Sequence, residues 1–357
     1  MSRAQLTSTV EQNSGGAVAP YVAGKNKIIN GDFNINQRNF TSNTTNNTYN
    51  FDRWVQLNGG ASGTSTITPQ AFTPGAAPVA GYEAKQFVQC ITASGASVDT
   101  YAIYQQNIED VRTLAGQTAT VSFWAKATSG TPKIAVELAQ AFGTGGSPSS
   151  QVNTYAGQVT LSTSWARYSV TVAVPSISGK TIGTDANSSS LSVALWLSSG
   201  SNYNSRTGSL GLQNATFQLW GIQIESGPVA TPFTTASGTV QGELALCQRY
   251  YWRMGGDSPY QFFASGIFTT TTNLRALFTN PVPMRSAPSS IDFSTYTNYW
   301  TSDGNYNYTP TGAFTIDRAS SYVTDVNIPT SGATTPRAGQ LFAQNSTSAY
   351  IGFSAEL

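Results

Sequence analysis

"SSLSVALWLSSG", residues 189–200, places Leu191, Val193, Leu195 and Leu197 at every second position. Successive side chains of an extended strand point to opposite faces, so these four share one face and bury together. The opposite face holds Ser192, Ala194, Ser198 and one large ring, Trp196. This is the pattern of a strand in a two-layer sheet, and the closing Ser-Ser-Gly is a turn signal.

The same period recurs along the chain in "GYEAKQFVQCITASG" (81–95), "TATVSFWAKATSG" (118–130), "SWARYSVTVAVP" (164–175) and "NATFQLWGIQIESG" (214–227). About eight to ten such strands, separated by turn residues, predict an all-β fold beginning with an antiparallel jelly-roll sandwich. The pattern breaks at "SGPVATPFTTASGTVQGELALCQRYY" (226–251), where Pro228 and Pro232 punctuate the chain. Helical spacing of Val240, Leu244 and Cys247 then predicts a short helix within 238–253. Strand patterns return from 260 to the end, and "NPVPMRSAPSS" (280–290) reads as loop or sheet edge. The expected organisation is a polar arm over 1–25, a jelly roll over 26–235, and a smaller antiparallel β domain over 236–357 led by the helix.

Composition narrows the chemistry. The chain has 357 residues, only 10% of them charged, and a net charge of +1. No basic patch for nucleic acid is visible. Apolar residues at 39% and aromatics at 11% argue against disorder. Histidine is absent, which removes His-based triads, His metal ligands and a His general base. Cys90 and Cys247 are too far apart for a zinc motif and read as two buried free thiols, with one long-range bridge as the alternative. The N-terminus lacks a secretory apolar region, and no run approaches the about 18 apolar residues of a membrane span. The expectation is a protein assembled in a cytoplasm whose neutral, hydroxyl- and amide-rich surface suits use outside it.

The densest aromatic stretch is "SSIDFSTYTNYWTSDGNYNYTP" (289–310). Sugars offer flat C–H patches between hydroxyls, which exposed rings and a rim of amides or carboxylates can grip. Tyr296, Tyr299, Trp300, Tyr306 and Tyr308 are the candidate rings, with Asp303, Asn305 and Asn307 as the rim. As a strand, Asn305–Tyr308 would set Tyr306 and Tyr308 on one face. A subunit contact or a core strand pair would welcome the same rings. Trp196 and Tyr203 form a second candidate platform, while Trp124 and Trp220 read as core. A glycosidase needs two carboxyl groups about 5–10 Å apart. The 17 acids are scattered, and neighbouring Glu109 and Asp110 point to opposite faces of a strand. The expected role is non-catalytic, with a polysaccharide depolymerase as the rival.

Several short stretches, in order, resemble tail-fibre and adhesin proteins of tailed bacteriophages. They are "AGKNKIINGDFNINQRN" (23–39) with "FDRW" (51–54), "IEDVRTLAGQTATVSFWAKA" (108–127), "STSWARYSVTVAVP" (162–175), "FQLWGIQIESGPVATPF" (217–233), "ELALCQRYYWR" (243–253), "PVPMRSAP" (281–288) and "AYIGFSAEL" (349–357). The first half also resembles jelly-roll carbohydrate-binding modules that open on an "NGDFE"-like strand. The resemblance implies a virion tail component that adheres to host surface polysaccharide. It further implies docking to a tail or baseplate protein through 1–25, and a homotrimer. A purely structural virion part is the alternative. Such modules often hold a structural calcium; here Asn34 replaces the expected acid, leaving Asp32 and Glu225 as the candidate ligands.

Overall fold

The structure, a computed structural model, describes residues 24–357 apart from 62, 81 and 94. Most of the predicted arm therefore lies outside the described residues. The chain forms two units. The first comprises the chain up to Asn34, Phe40–Asn50 and Trp54–Glu243; the second comprises Ile35–Asn39, Phe51–Arg53 and Leu244–Leu357. This differs from a single division at 235/236. The division falls inside the helix, and two short N-terminal segments belong to the second unit.

The first unit is a two-sheet antiparallel sandwich. Its strands are β1 (Thr48–Tyr49), β2 (Trp54–Gly59), β3 (Thr64–Ala71), β4 (Gln86–Ala93), β5 (Tyr101–Glu109), β6 (Thr118–Ala127), β7 (Lys133–Ala141), β8 (Val152–Thr160), β9 (Ala166–Ala173), β10 (Ser190–Ser199) and β11 (Ala215–Ser226). One sheet has the order β1-β2-β5-β10-β7-β8 and the other β3-β4-β11-β6-β9, with strands alternating between layers as in a jelly roll. β10 lies between β5 and β7, and Leu191, Val193, Leu195 and Leu197 are at most 1% exposed. They face inward with Val121, Phe123, Phe217 and Leu219 of the opposite layer, all buried. Lys27 N–H donates to the Ile224 carbonyl and Ile222 N–H to the Gly31 carbonyl, so the opening "KNKII" runs along the last strand. Cys90 and Cys247 are buried and free.

Two short α-helices are present, α1 (Asn204–Thr207) between β10 and β11 and α2 (Val240–Gln248) after β11. α2 stops at Gln248, short of the predicted 253. Tyr251 and Trp252 instead pair with Ser354 and Phe353, and the cross-strand pairing outweighs helix propensity.

The second unit contains a three-stranded and a seven-stranded antiparallel sheet. The first joins β12 (Tyr251–Gly255), β21 (Tyr350–Ser354) and β15 (Ser290–Phe293). The second runs β17 (Asn307–Tyr308), β16 (Tyr299–Ser302), β20 (Arg337–Ala343), β13 (Phe262–Thr270), β14 (Asn273–Thr279), β19 (Val323–Pro329), β18 (Thr315–Ala319). Trp252 and Phe353 of the small sheet pack in one core with Phe268, Leu274, Phe278, Tyr299 and Leu341 of the large one. Residues 280–289 are loop, as their prolines require.

Candidate functional site

The aromatic-rich stretch divides between the two faces of the seven-stranded sheet. β16 alternates: Tyr299 and Thr301 are buried, Trp300 and Ser302 face outward. The Tyr299 ring lies 5.5 Å from Phe263 and 5.0 Å from Phe314. Its hydroxyl accepts from Ser294 at 2.9 Å and from the Tyr350 N–H at 3.1 Å, and donates to the Tyr350 carbonyl. Tyr299 is a core residue, which corrects its assignment to a sugar platform. Burial pushes its phenol up to about 12.

Tyr306 and Tyr308 do not share a face. Asp303 bends the chain into a turn before β17 begins. One of its oxygens accepts from the Asn305 and Tyr306 N–H groups, both at 2.9 Å. The other accepts from the Tyr308 hydroxyl at 3.0 Å and the Thr334 N–H at 3.4 Å. These donors, the Tyr306 N–H foremost, hold the Asp303 carboxyl well below the usual carboxylate range. Asp303 is buried and committed to the turn, so it is no rim acceptor. Tyr308 packs on Phe268 at 6.1 Å, while Tyr306 stays 68% exposed at the hairpin tip. The Asn305 side-chain oxygen accepts from Arg337 Nη2 at 3.0 Å. Tyr296, in a 3-10 turn before β16, is exposed.

Trp300 is the ring that the fold sets into an array. Pairing places it opposite Phe342 of β20, and Phe342 opposite Phe262 of β13. The Trp300 ring lies 5.9 Å from Phe342 and 6.0 Å from Tyr260. Tyr260 and Phe262 are about half open to solvent. With its oxygen turned to the indole, the Gln344 amide accepts from Trp300 Nε1 at 3.1 Å and donates to the Thr297 carbonyl at 2.6 Å. Exposed Gln340 pairs with Ser302 and Ser265 and adds an amide beside the rings. Sequence reading singled out Trp300 and missed Tyr260, Phe262 and Phe342. The alternation in "AGQLFAQN" marks Gln340 and Phe342 as one face, but only the strand order brings them beside Trp300.

Trp196 and Tyr203 come together on the outer face of the six-stranded sheet, with ring centroids 5.2 Å apart. Trp196 is nevertheless only 1% exposed, because residues 200–211 fold back over β10 and Leu210 joins its cluster. Its indole donates to Glu137 Oε2 at 3.0 Å, and Arg206 grips both Glu137 oxygens at 2.7 and 2.8 Å. The face of β10 that carries Trp196 is thus sealed, and Trp196 is not an open platform.

Asp32 accepts from the Tyr82 hydroxyl at 2.8 Å and from Asn34 Nδ2 at 2.5 Å. Glu225 accepts from the Thr231 N–H and hydroxyl at 2.8 and 2.7 Å and from Gln223 at 2.6 Å, with Lys25 Nζ at 3.4 Å. The Lys25 ammonium supplies at Glu225 the positive charge that a cation would bring. Among the described residues, no three His, Cys, Asp or Glu cluster as metal ligands do. Acids that share surroundings are also engaged. Asp317 and Asp325 both pair with Arg275. Asp32 and Glu243 are at most 3% exposed, away from any substrate.

No family model matches the chain, and no curated protein matches it. Among solved structures, the CBM22-2 xylan-binding domain of Paenibacillus barcinonensis Xyn10C matches 50% of this chain and 94% of that one, at 16% identity and TM-score 0.31. The family 11 carbohydrate-binding module of Clostridium thermocellum, solved with a mixed-linked tetrasaccharide, matches 53% and 98% at 9% identity and TM-score 0.31. The enzymatically active domain of bacteriophage CBA120 tailspike protein 4 matches 57% of this chain at 13% identity and TM-score 0.31, and the match spans 22% of that longer chain.

Proposed function

We propose that the chain is a component of a phage tail fibre that holds host surface polysaccharide without cleaving it. One observation carries this reading. Trp300, Phe342 and Tyr260 form a solvent-facing row of rings on a rigid sheet, with Gln340 and Ser302 beside them. Rings supply contact area to sugar C–H faces at low entropy cost, and amides pair with hydroxyls. Glu109, Asp110 and Asp185 line one groove of about 570 Å³, where Asp110 pairs with Arg112 at 3.2 Å and Asp185 accepts from the Thr144 hydroxyl at 2.8 Å. A depolymerase would need its two carboxyl groups in such a groove, and the ring row lies elsewhere, on the seven-stranded sheet. The sequence resemblance to tail fibres supplies the viral context, with 1–25 as the attachment arm and several copies acting together. Weak single-site contacts then sum through multivalency.

Microarrays of bacterial O-chains and capsular polysaccharides, probed with the full chain, test this. Trp300→Ala is expected to weaken the selected glycan at least about tenfold, or about 1.4 kcal/mol, with the fold intact. Equal binding by a folded W300A chain removes this row as the site, and release of reducing ends from the polysaccharide makes the protein a depolymerase. A second reading, a purely structural virion part, is favoured by Tyr299, Tyr308 and Asp303, which serve packing and turn formation. It expects no glycan to bind.

A further inference from the structure

We infer that the ring row selects saccharides that carry a methyl group, as an acetyl ester or a deoxy carbon, and that a groove bordered by Phe262 receives that methyl. Such selectivity rests on the reading of the row as a glycan site. Phe262 is opposite Phe342, which is opposite Trp300, so Phe262 ends the row. Neighbouring strands lie about 4.8 Å apart, which puts Phe262 about 10 Å from Trp300. Phe262 also borders a groove of about 370 Å³. One bound chain can therefore cover the row and reach the groove. Phe262 and Leu277, 51% and 56% exposed, are its open borders, and the more deeply buried Trp252, Met254, Phe263 and Phe278 complete its apolar lining. A sheet face that meets water normally carries polar residues. Two large apolar side chains held there gain when an apolar group of a ligand covers them.

The lining decides which part of a saccharide enters. Among the described residues, no charged side chain lines the groove. A uronate, phosphate or ammonium group would lose its water there and find no counter-charge. Nor do the aromatic walls offer a hydroxyl much to bond. The one ring N–H, on Trp252, is already given to Asn280 Oδ1 at 3.1 Å. Hydroxyls pressed among these carbons would go unpaired, which is costly. The polar side chains of the lining are Gln248, Ser265 and Thr279. Ser265 pairs with Gln340, the amide beside the rings. A methyl on a polar stem matches this division. Its carbon meets the apolar walls, and the oxygens around it meet the hydroxyls and amides. An acetyl ester and a deoxy carbon present the same methyl, so the groove treats them as one chemistry.

Paired glycan arrays probed with the full chain test this. One arm prints bacterial O-chains and capsular polysaccharides before and after mild alkali, which removes acetyl esters. The other prints 6-deoxyhexose oligosaccharides beside their 6-hydroxy parents. The wild type is expected to prefer the methyl-bearing member about tenfold or more, the worth of a small apolar group in an apolar pocket. A preference in the first arm assigns the acetyl ester, and one in the second assigns the deoxy carbon; either supports the groove. Leu277→Gln is expected to cut the preference below about threefold, with far-UV circular dichroism unchanged and binding of the methyl-free member kept. Should that variant unfold, Leu277→Thr supplies a polar side chain that strands accept, and it is expected to shift the preference in the same sense. Trp300→Ala is expected to weaken both members equally, so the row and the groove are read separately. Equal wild-type affinity within every pair, or a folded Leu277 variant that keeps the full preference, overturns the groove while the row stands on the effect of Trp300→Ala. Absence of binding to every glycan overturns both.

Discussion

Asp303 and Asp32 are both nearly sealed carboxylates, with opposite acidities. At Asp303 four donors converge, and the ionised form is favoured. At Asp32 burial outweighs the Tyr82 and Asn34 donors, so its pKa is raised. Burial raises Glu243 as well, and Asp32 adds to that shift. The sign of the resulting pH dependence follows from linkage. The fold prefers Asp32 and Glu243 protonated, so the stability they contribute is whole below the unfolded carboxylate range near about pH 4. It is lost as pH rises through their higher folded values. Asp303 works the other way, and its contribution is lost only in strong acid. The first unit is therefore expected to resist denaturant better near about pH 5 than near about pH 7.5, and Asp32→Asn is expected to flatten that difference. Denaturant midpoints at the two pH values decide it; a midpoint that rises toward neutrality contradicts the argument. Nothing in "NGDF" or "TSDGN" separates these two acids by sequence, because the difference lies in donors from distant residues and in how much water reaches them.

The strand β10 shows what period-two reading can and cannot reach. Its inward leucines and valine follow from alternation alone. The burial of Trp196 does not, because its cover is a polar segment, 200–211, with no apolar period of its own. That strap is anchored by Arg206 on Glu137, a carboxylate with no exposure. Removing Arg206 leaves the Glu137 charge sealed beside the Trp196 indole donor. Because Arg206 is itself a third open to water, Arg206→Ala is expected to cost about 2–3 kcal/mol, below the full value of a buried pair. Adding Glu137→Gln is expected to recover part of that loss, since the neutral amide needs no counter-charge. Urea unfolding of the two variants measures both effects; equal losses in single and double variants would show that the strap is held by packing instead. The ring row has the same lesson in reverse. Trp300 was legible as an aromatic in a polar stretch. Its partners Tyr260 and Phe342 lie about forty residues away on either side, and strand order alone unites them.

At the scale of the whole molecule, four of the stretches that resemble tail fibres meet in one network inside the second unit. "NINQRN" and "FDRW" supply Gln37, Arg38, Asp52 and Arg53; "ELALCQRYYWR" supplies Tyr250, Tyr251 and Arg253; "AYIGFSAEL" supplies Tyr350 and Glu356. Buried Asp52 accepts from the Gln37 N–H and amide, both at 2.7 Å. Arg38 and Arg53 lie over the Tyr251 and Tyr250 rings at 3.7 and 3.4 Å, and both reach Glu356. Arg253 stacks on Tyr350 at 3.4 Å and donates to the Arg38 carbonyl at 2.6 Å. Composition and periodicity divide this chain once, near the helix; long-range ion pairs carry no period, so the return of 35–39 and 51–53 to the second unit was not legible. The consequence is a stability claim about the penultimate residue. Glu356 is the carboxylate partner of Arg53, which has no exposure. Losing one partner of a buried pair typically costs about 3–5 kcal/mol, because the other charge stays out of water. Glu356→Ala in the full chain is therefore expected to lower the second unit's unfolding free energy by about 3 kcal/mol. The excised stretch 244–357, which lacks Arg38, Asp52 and Arg53 altogether, is expected to show no cooperative transition. Denaturant titrations followed by near-ultraviolet circular dichroism report on both. A sharp transition in the excised stretch, at the midpoint it shows in the full chain, means that the N-terminal segments only decorate a unit already complete.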